Sequence, residues 1–149
     1  MFNGATNICG LWWNIDLQYV LGGTMADDLQ EEIKKIAEKI PGCRYVSLVG
    51  YDGITVAQHI IDASFDVNLY DAELSSIMLA SREVRTSIGL GAEKELIWLT
   101  ESGYFIVHPV GDDFFIYGCL KTQGSNPGVA RIELNKAKKA IKQIIYPET

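Results

Sequence analysis

The 149-residue sequence predicts an α+β sandwich of two or three layers built on a five-stranded antiparallel sheet. Three observations carry that prediction. Apolar residues recur at helical spacing in three separate segments, five short β-branched and aromatic runs lie between them, and tight turns containing Gly or Asp join those runs. The resulting order is helix-β-β-helix-β-β-β-helix.

Leu29, Ile33, Ile36 and Ile40 fall at i, i+4, i+7 and i+11 and form one stripe of the first helix. Asp27, Asp28, Glu31 and Glu32 crowd its first turns, where the helix dipole favours negative charge, and Pro41-Gly42 stops it. Tyr45 to Val49 and Ile54 to Ala57 flank Tyr51-Asp52-Gly53, a strong hairpin signal. Asp62 to Asn68 reads as a connecting loop. Helical spacing returns from Asp71 to Ile88, with Leu74, Ile77, Met78, Ser81, Val84 and Ile88 on one stripe, and Gly89 and Gly91 end it. Ser75, Ala80 and Ser81 leave that helix small side chains, which permit close approach in a core or across a subunit interface.

Glu95 to Thr100, Tyr104 to Val110 and Phe114 to Leu120 form a meander, joined through Glu101-Ser102-Gly103 and Gly111-Asp112-Asp113. In Leu96-Ile97-Trp98-Leu99 apolar side chains point to both faces, so this strand is either central or an edge that a second copy covers. The last helix opens with Asn126 as N-cap and Pro127 at N1. Ala130, Leu134, Ala137, Ile141 and Ile144 supply its apolar stripe.

Hydrophobic residues make up 48% and charged residues 21%, the composition of a soluble globular domain. The net charge of −6 argues against nucleic acid, which is held through Lys and Arg contacts to phosphate. Cys9, Cys43 and Cys119 are odd in number and widely spaced, which fits reduced thiols in a cytoplasmic protein better than a disulfide framework or a zinc site. His59 and His108 lie on separate strands, far short of a metal-ligand cluster, and His108 before Pro109 reads as a strand-end residue. No nucleophile elbow is present, Gly89-Leu90-Gly91 follows a helix and reads as a cap, and Asp52 and Asp112-Asp113 read as turn residues. The expectation is therefore a protein without catalytic residues, metal or cofactor. The last helix carries Arg131, Lys136, Lys138, Lys139 and Lys142 against Glu133 alone. Such a helix is either a solvated face or a contact for anionic lipid or an acidic partner.

Residues 1–24 stand apart. They contain Trp12-Trp13 and no Lys or Arg, and their apolar run, Ile8 to Leu21, carries Asn14, Asp16 and Gln18 and is too short for a membrane span of about 20 residues. Three readings stand for them: an extra docked element, an arm that grips a partner or a second copy, or an upstream extension with Met25 as the true start. Residues 25–149 are expected to form a single domain.

Five sequence words in this order resemble the Roadblock family of dynein light-chain-type domains. They are Ile40-Pro41-Gly42, Gly50-Tyr51-Asp52-Gly53, Gly89-Leu90-Gly91, Val107-His108-Pro109-Val110-Gly111-Asp112-Asp113, and Gly124-Ser125-Asn126-Pro127-Gly128 leading into Arg131. The match runs from about Asp27 to Ile145. It departs from the family in residues 1–24 and at Pro127, where an aliphatic residue is more usual. The resemblance implies the Roadblock arrangement, a sheet with helices on both faces. It also implies a homodimer joined through the third strand and second helix. Carried onto this sequence, that interface is Leu74, Ile77, Met78, Ser81 and Val84 with Leu96, Ile97, Trp98 and Leu99.

The implied function is non-enzymatic. Members of the family bind Ras-like small GTPases, serve as scaffolds on membranes, or act in motor complexes, and stand-alone prokaryotic members similar to this one accelerate GTP hydrolysis. Arg82 and Arg85 lie on the element the family presents to GTPases. The resemblance assigns neither of them the role of an arginine finger. The alternative is a scaffold, membrane-associated through the C-terminal basic helix, without effect on hydrolysis.

Overall fold

The computed structural model describes residues 24–62, 64 and 66–148. Eight elements follow one another: α1 (Thr24–Lys39), β1 (Cys43–Gly50), β2 (Thr55–Ile60), α2 (Val67–Ser87), β3 (Leu96–Leu99), β4 (Gly103–Val110), β5 (Phe114–Lys121) and α3 (Pro127–Ile145). The strands form one antiparallel sheet in the order β2-β1-β5-β4-β3. The expected α+β class, strand number and element order are those observed. The readings of residues 1–23, with their Trp pair, lie outside the described residues.

Strand alternation sorts side chains onto two faces. Val46, Leu48, Ile106, Ile116 and Leu120 point to one face, where α1 brings Leu29, Ile33 and Ile36 and α3 brings Leu134, Ala137 and Ile141. Tyr45, Val49, Val107, Phe115 and Tyr117 point to the other, where α2 brings Val67, Leu74 and Met78. Helices thus cover both faces, in three layers. The first helix buries all four of its stripe residues, whereas α2 leaves Val84 and Ile88 exposed.

The second helix begins earlier than its periodicity suggests. Asp66 caps it, accepting a hydrogen bond from the Leu69 amide through Oδ1, so Val67–Tyr70 is helix and not loop. Asn126 caps α3 on the Val129 amide, with Pro127 in the first turn, as the sequence predicts. Gly42 has φ +75°, and a Cβ there would lie 2.5 Å from Cβ of Ser125. The Pro41-Gly42 stop therefore also lets the α1–β1 turn pack against the segment before α3.

The two edges of the sheet differ. On β2 the Gln30 side chain of α1 donates to the Gln58 carbonyl (2.7 Å) and accepts from the Gln58 amide (3.3 Å), standing in for a neighbouring strand. No such contact masks β3 among the described residues.

Candidate functional site

The third strand settles the choice that its sequence left open: among the described residues it is an edge, paired only with β4. Ile97 is 48% exposed, Trp98 45% and Leu99 71%, a run of large apolar side chains on an unmasked strand. The α2 residues expected beside it divide. Leu74 and Met78 are buried in the core, Ile77 and Ser81 are half-buried, and Val84 is exposed. Leu96 faces the α2 side and packs half-buried against that core. Open toward solvent between α2 and this edge is a cavity of about 420 Å³, walled by Tyr70, Leu74, Ile77, Trp98 and Phe105. Trp98 and Phe105 have ring centroids 5.6 Å apart, and Tyr70 meets Phe105 edge-on at 6.4 Å.

Arg82 and Arg85 are tethered to their own chain. The Arg82 guanidinium lies 4.1 Å above the Tyr51 ring and donates to the Asp112 carbonyl at 2.8 Å. Arg85 donates to the Gly91 carbonyl at 3.1 Å, closing the segment after the helix. Together they fix the C-terminal half of α2 against the hairpin turns and the loop leading to β3.

Two polar clusters escape the sequence reading. The first centres on Asp71, wholly buried beneath α2. Its Oδ2 accepts from Ser47 (2.9 Å) and Thr55, and its Oδ1 accepts from the Tyr117 hydroxyl. Tyr117 gives its proton to Asp71, so the Tyr45 hydroxyl, 2.9 Å away, donates to Tyr117. Burial raises the Asp71 carboxyl above its ordinary value, and the three donated hydrogen bonds oppose that rise. One signal for Asp71 was present: it stands at i+4 from Val67, with Leu74 and Met78 following at i+7 and i+11, so a carboxylate occupies the apolar stripe.

The second cluster joins His108, Glu95 and Arg131. His108 is buried on β4 two residues before the strand ends at Val110, near the end where the sequence placed it. Its Nε2 lies 3.0 Å from Glu95 Oε2, and Arg131 holds both Glu95 oxygens through Nε and Nη2. Arg131 foremost, with His108, keeps Glu95 below the usual carboxylate range, so Nε2–H donates. Burial lowers the His108 value beneath 6.5, outweighing the carboxylate. The unfolded chain therefore takes up this proton first, and the stability present above pH 6.5 declines as pH falls through the folded value. Denaturation at pH 7 and pH 5 is expected to show a larger loss for the native chain than for His108→Gln.

Cys43 and Cys119 are free and buried, and burial pushes their thiols up to about 12 and about 11, which leaves them protonated and unreactive. Among the described residues no group of His, Cys, Asp and Glu is arranged to hold a metal ion. Nor is any described helix long and apolar enough to cross a membrane.

No family model matches this sequence, and no curated protein does. Solved structures do match. Myxococcus xanthus MglB superposes with a TM-score of 0.76 at 12% identity, over 83% of this chain and 92% of that one. An MglB with tetrameric arrangement gives 0.75 at 14% identity, over 85% and 93%. The Roadblock/LC7 domain from Streptomyces avermitilis gives 0.71 at 17% identity, over 82% and 99%. At such identities the likeness is one of fold, and it extends over nearly all of the compared chains. The five antiparallel strands and three flanking helices of this protein are those of a Roadblock-like domain.

Proposed function

We propose that this chain is a non-enzymatic, homodimeric regulator that binds a Ras-like small GTPase and modulates its nucleotide cycle. The observation that carries the reading is the unmasked apolar edge at β3 beside the half-exposed face of α2. An edge strand with unpaired amides and three exposed large apolar residues calls for a partner strand. A second copy of β3, related by a two-fold axis, supplies one and continues the sheet across both chains. The interface then comprises Leu96, Ile97, Trp98 and Leu99 with the accessible parts of Ile77, Ser81 and Val84, while Leu74 and Met78 support it from the core. The likeness to MglB structures, one of them with tetrameric arrangement, supports self-association.

In this reading the paired α2 helices meet the GTPase. Arg82 and Arg85, held by Tyr51, Asp112 and Gly91, shape that surface, and neither serves as an arginine finger; the GTPase's own groups are repositioned instead. Residues 25–149 act as one domain and residues 1–24 as an extension, in a cytoplasmic, stand-alone prokaryotic protein.

Light-scattering mass of the full chain, mixed with a Ras-like GTPase from the same genome, tests this. The expected result is a complex built on a dimer that forms with a non-hydrolysable GTP analogue and not with GDP. A dimer indifferent to both nucleotides would replace the regulator with a scaffold. A monomer would remove the interface itself.

A further inference from the structure

The cavity between α2 and the β3 edge is complete within one chain. Trp98 and Phe105 are cross-strand neighbours on β3 and β4, and they line it from the sheet with ring centroids 5.6 Å apart and planes at 34°. Tyr70 lines it from α2, its plane at 85° to that of Phe105. Two aromatic walls therefore meet near a right angle. All three rings keep accessible surface: Trp98 is 45% exposed, and Tyr70 and Phe105 are half-buried. At about 420 Å³ the space is of a size that takes a small molecule.

The remaining wall sets the sign of the charge. Glu73 stands three residues after Tyr70, so the two are neighbours on the helix surface, and it lines the same cavity. It is exposed and has no ion-pair or hydrogen-bond partner among the described residues. Arg44, the other charged residue of the wall, is ion-paired with Asp62 at 3.0 Å. The Thr100 hydroxyl donates to the Gly103 carbonyl at 2.6 Å, and the Tyr104 hydroxyl lies 2.7 Å from that of Ser125. What the cavity offers a ligand is thus a corner of aromatic faces and one uncompensated carboxylate.

Aromatic faces carry negative potential and attract cations positioned over them. A protonated amine placed there would lose the water that satisfies its N–H groups, at a cost in free energy. A quaternary ammonium has no N–H to satisfy and turns methyl groups toward the rings. A neutral apolar ligand would draw nothing from Glu73.

We propose that this cavity binds a quaternary ammonium group, with Trp98, Phe105 and Tyr70 around its methyl groups and Glu73 balancing its charge. Two sources present that chemistry, a soluble quaternary ammonium compound and the headgroup of a choline lipid. Ile97 and Leu99, paired with Ile106 and Tyr104, point to the opposite face of the sheet, so the site goes beyond the dimer reading and stands without it.

The test is a nuclear magnetic resonance titration of the full chain with choline and with 3,3-dimethylbutanol, its neutral carbon isostere. Choline is expected to bind saturably and at least about tenfold more tightly than the isostere. Trp98→Leu, at a position exposed enough for the fold to survive, lowers choline affinity at least about tenfold, and Trp98→Phe restores most of it. Glu73→Gln narrows the preference for choline over the isostere, whereas Glu83→Gln, an exposed carboxylate of α2 outside the cavity, changes neither. The chain with Ile97→Glu and Leu99→Glu together keeps its choline binding; loss there would place the site across two copies and overturn a cavity complete in one chain. Flotation with phosphatidylcholine vesicles separates the sources. Flotation that disappears in Trp98→Leu assigns the lipid, and choline binding without flotation assigns the soluble compound. Equal affinity for choline and its isostere, choline affinity unchanged in Trp98→Leu, or choline binding and Trp98-dependent flotation both missing, would overturn the proposal.

Discussion

Replacing Asp71 with Ala is expected to lower the unfolding free energy by about 3–5 kcal/mol, a large share of the total for a domain of this size. The carboxylate accepts hydrogen bonds from Ser47, Thr55 and Tyr117, and its loss strands two buried hydroxyls and the half-buried one of Thr55 beneath α2. Each unsatisfied group costs about 1–3 kcal/mol, and relief of the carboxylate's own desolvation offsets part of the sum. The same side chain fastens the N-terminal half of α2 to β1, β2 and β5, so the damage reaches the surface assigned to partners. Asp71→Asn preserves volume and one acceptor, and is expected to recover most of the loss. Its pH behaviour separates electrostatics from packing. The raised carboxyl makes the native chain lose stability as pH rises from about 4 through the folded-state value, and the Asn variant lacks that slope. Urea titrations at several pH values measure both quantities. An unchanged midpoint in Asp71→Ala would show that the network contributes nothing net.

The second large effect is on assembly. Ile97→Glu combined with Leu99→Glu is expected to weaken self-association by more than about 100-fold, or about 3 kcal/mol. Burial of each of these side chains is worth about 1.5–3 kcal/mol, and a two-fold axis uses each one twice. The variant also places carboxylates of two copies near one another, a repulsion absent from the native edge. Both positions are exposed in the single chain, so the fold is expected to survive, with unchanged circular dichroism. Sedimentation is then expected to report a monomer for the variant and a dimer for the native chain. A dimer of undiminished affinity would place the contact elsewhere on the surface.

The parts of this molecule that the sequence reveals are those set by near neighbours. Stripe spacing located the faces of α1 and α3, and Asn126-Pro127 located the start of α3, because capping and periodicity act within a few residues. The start of α2 was hidden by Asp62 to Asn68, whose polar residues resemble a loop although Asp66 is a cap. The network around Asp71 was hidden because its three donors come from three strands. Glu95 and Arg131 are 36 residues apart, and only the docking of α3 brings them together. The place of β3 at an edge follows from strand order, which rests on contacts between distant segments; an apolar run reads alike in a central strand and in an uncovered one.

The amide of Gln30 has a further consequence, which concerns growth. A sheet open on both sides is a seed: each added copy leaves a fresh edge for the next, and the series runs on into a fibre. By laying a side-chain amide over Gln58, the first helix of this protein occupies the backbone groups of β2 where another strand would dock. In the proposed dimer one side is closed by the chain itself and the other by its twin, so assembly through the sheet would terminate at two copies. A single glutamine on a helix, remote from the surfaces proposed to meet, would then limit how large the particle can become.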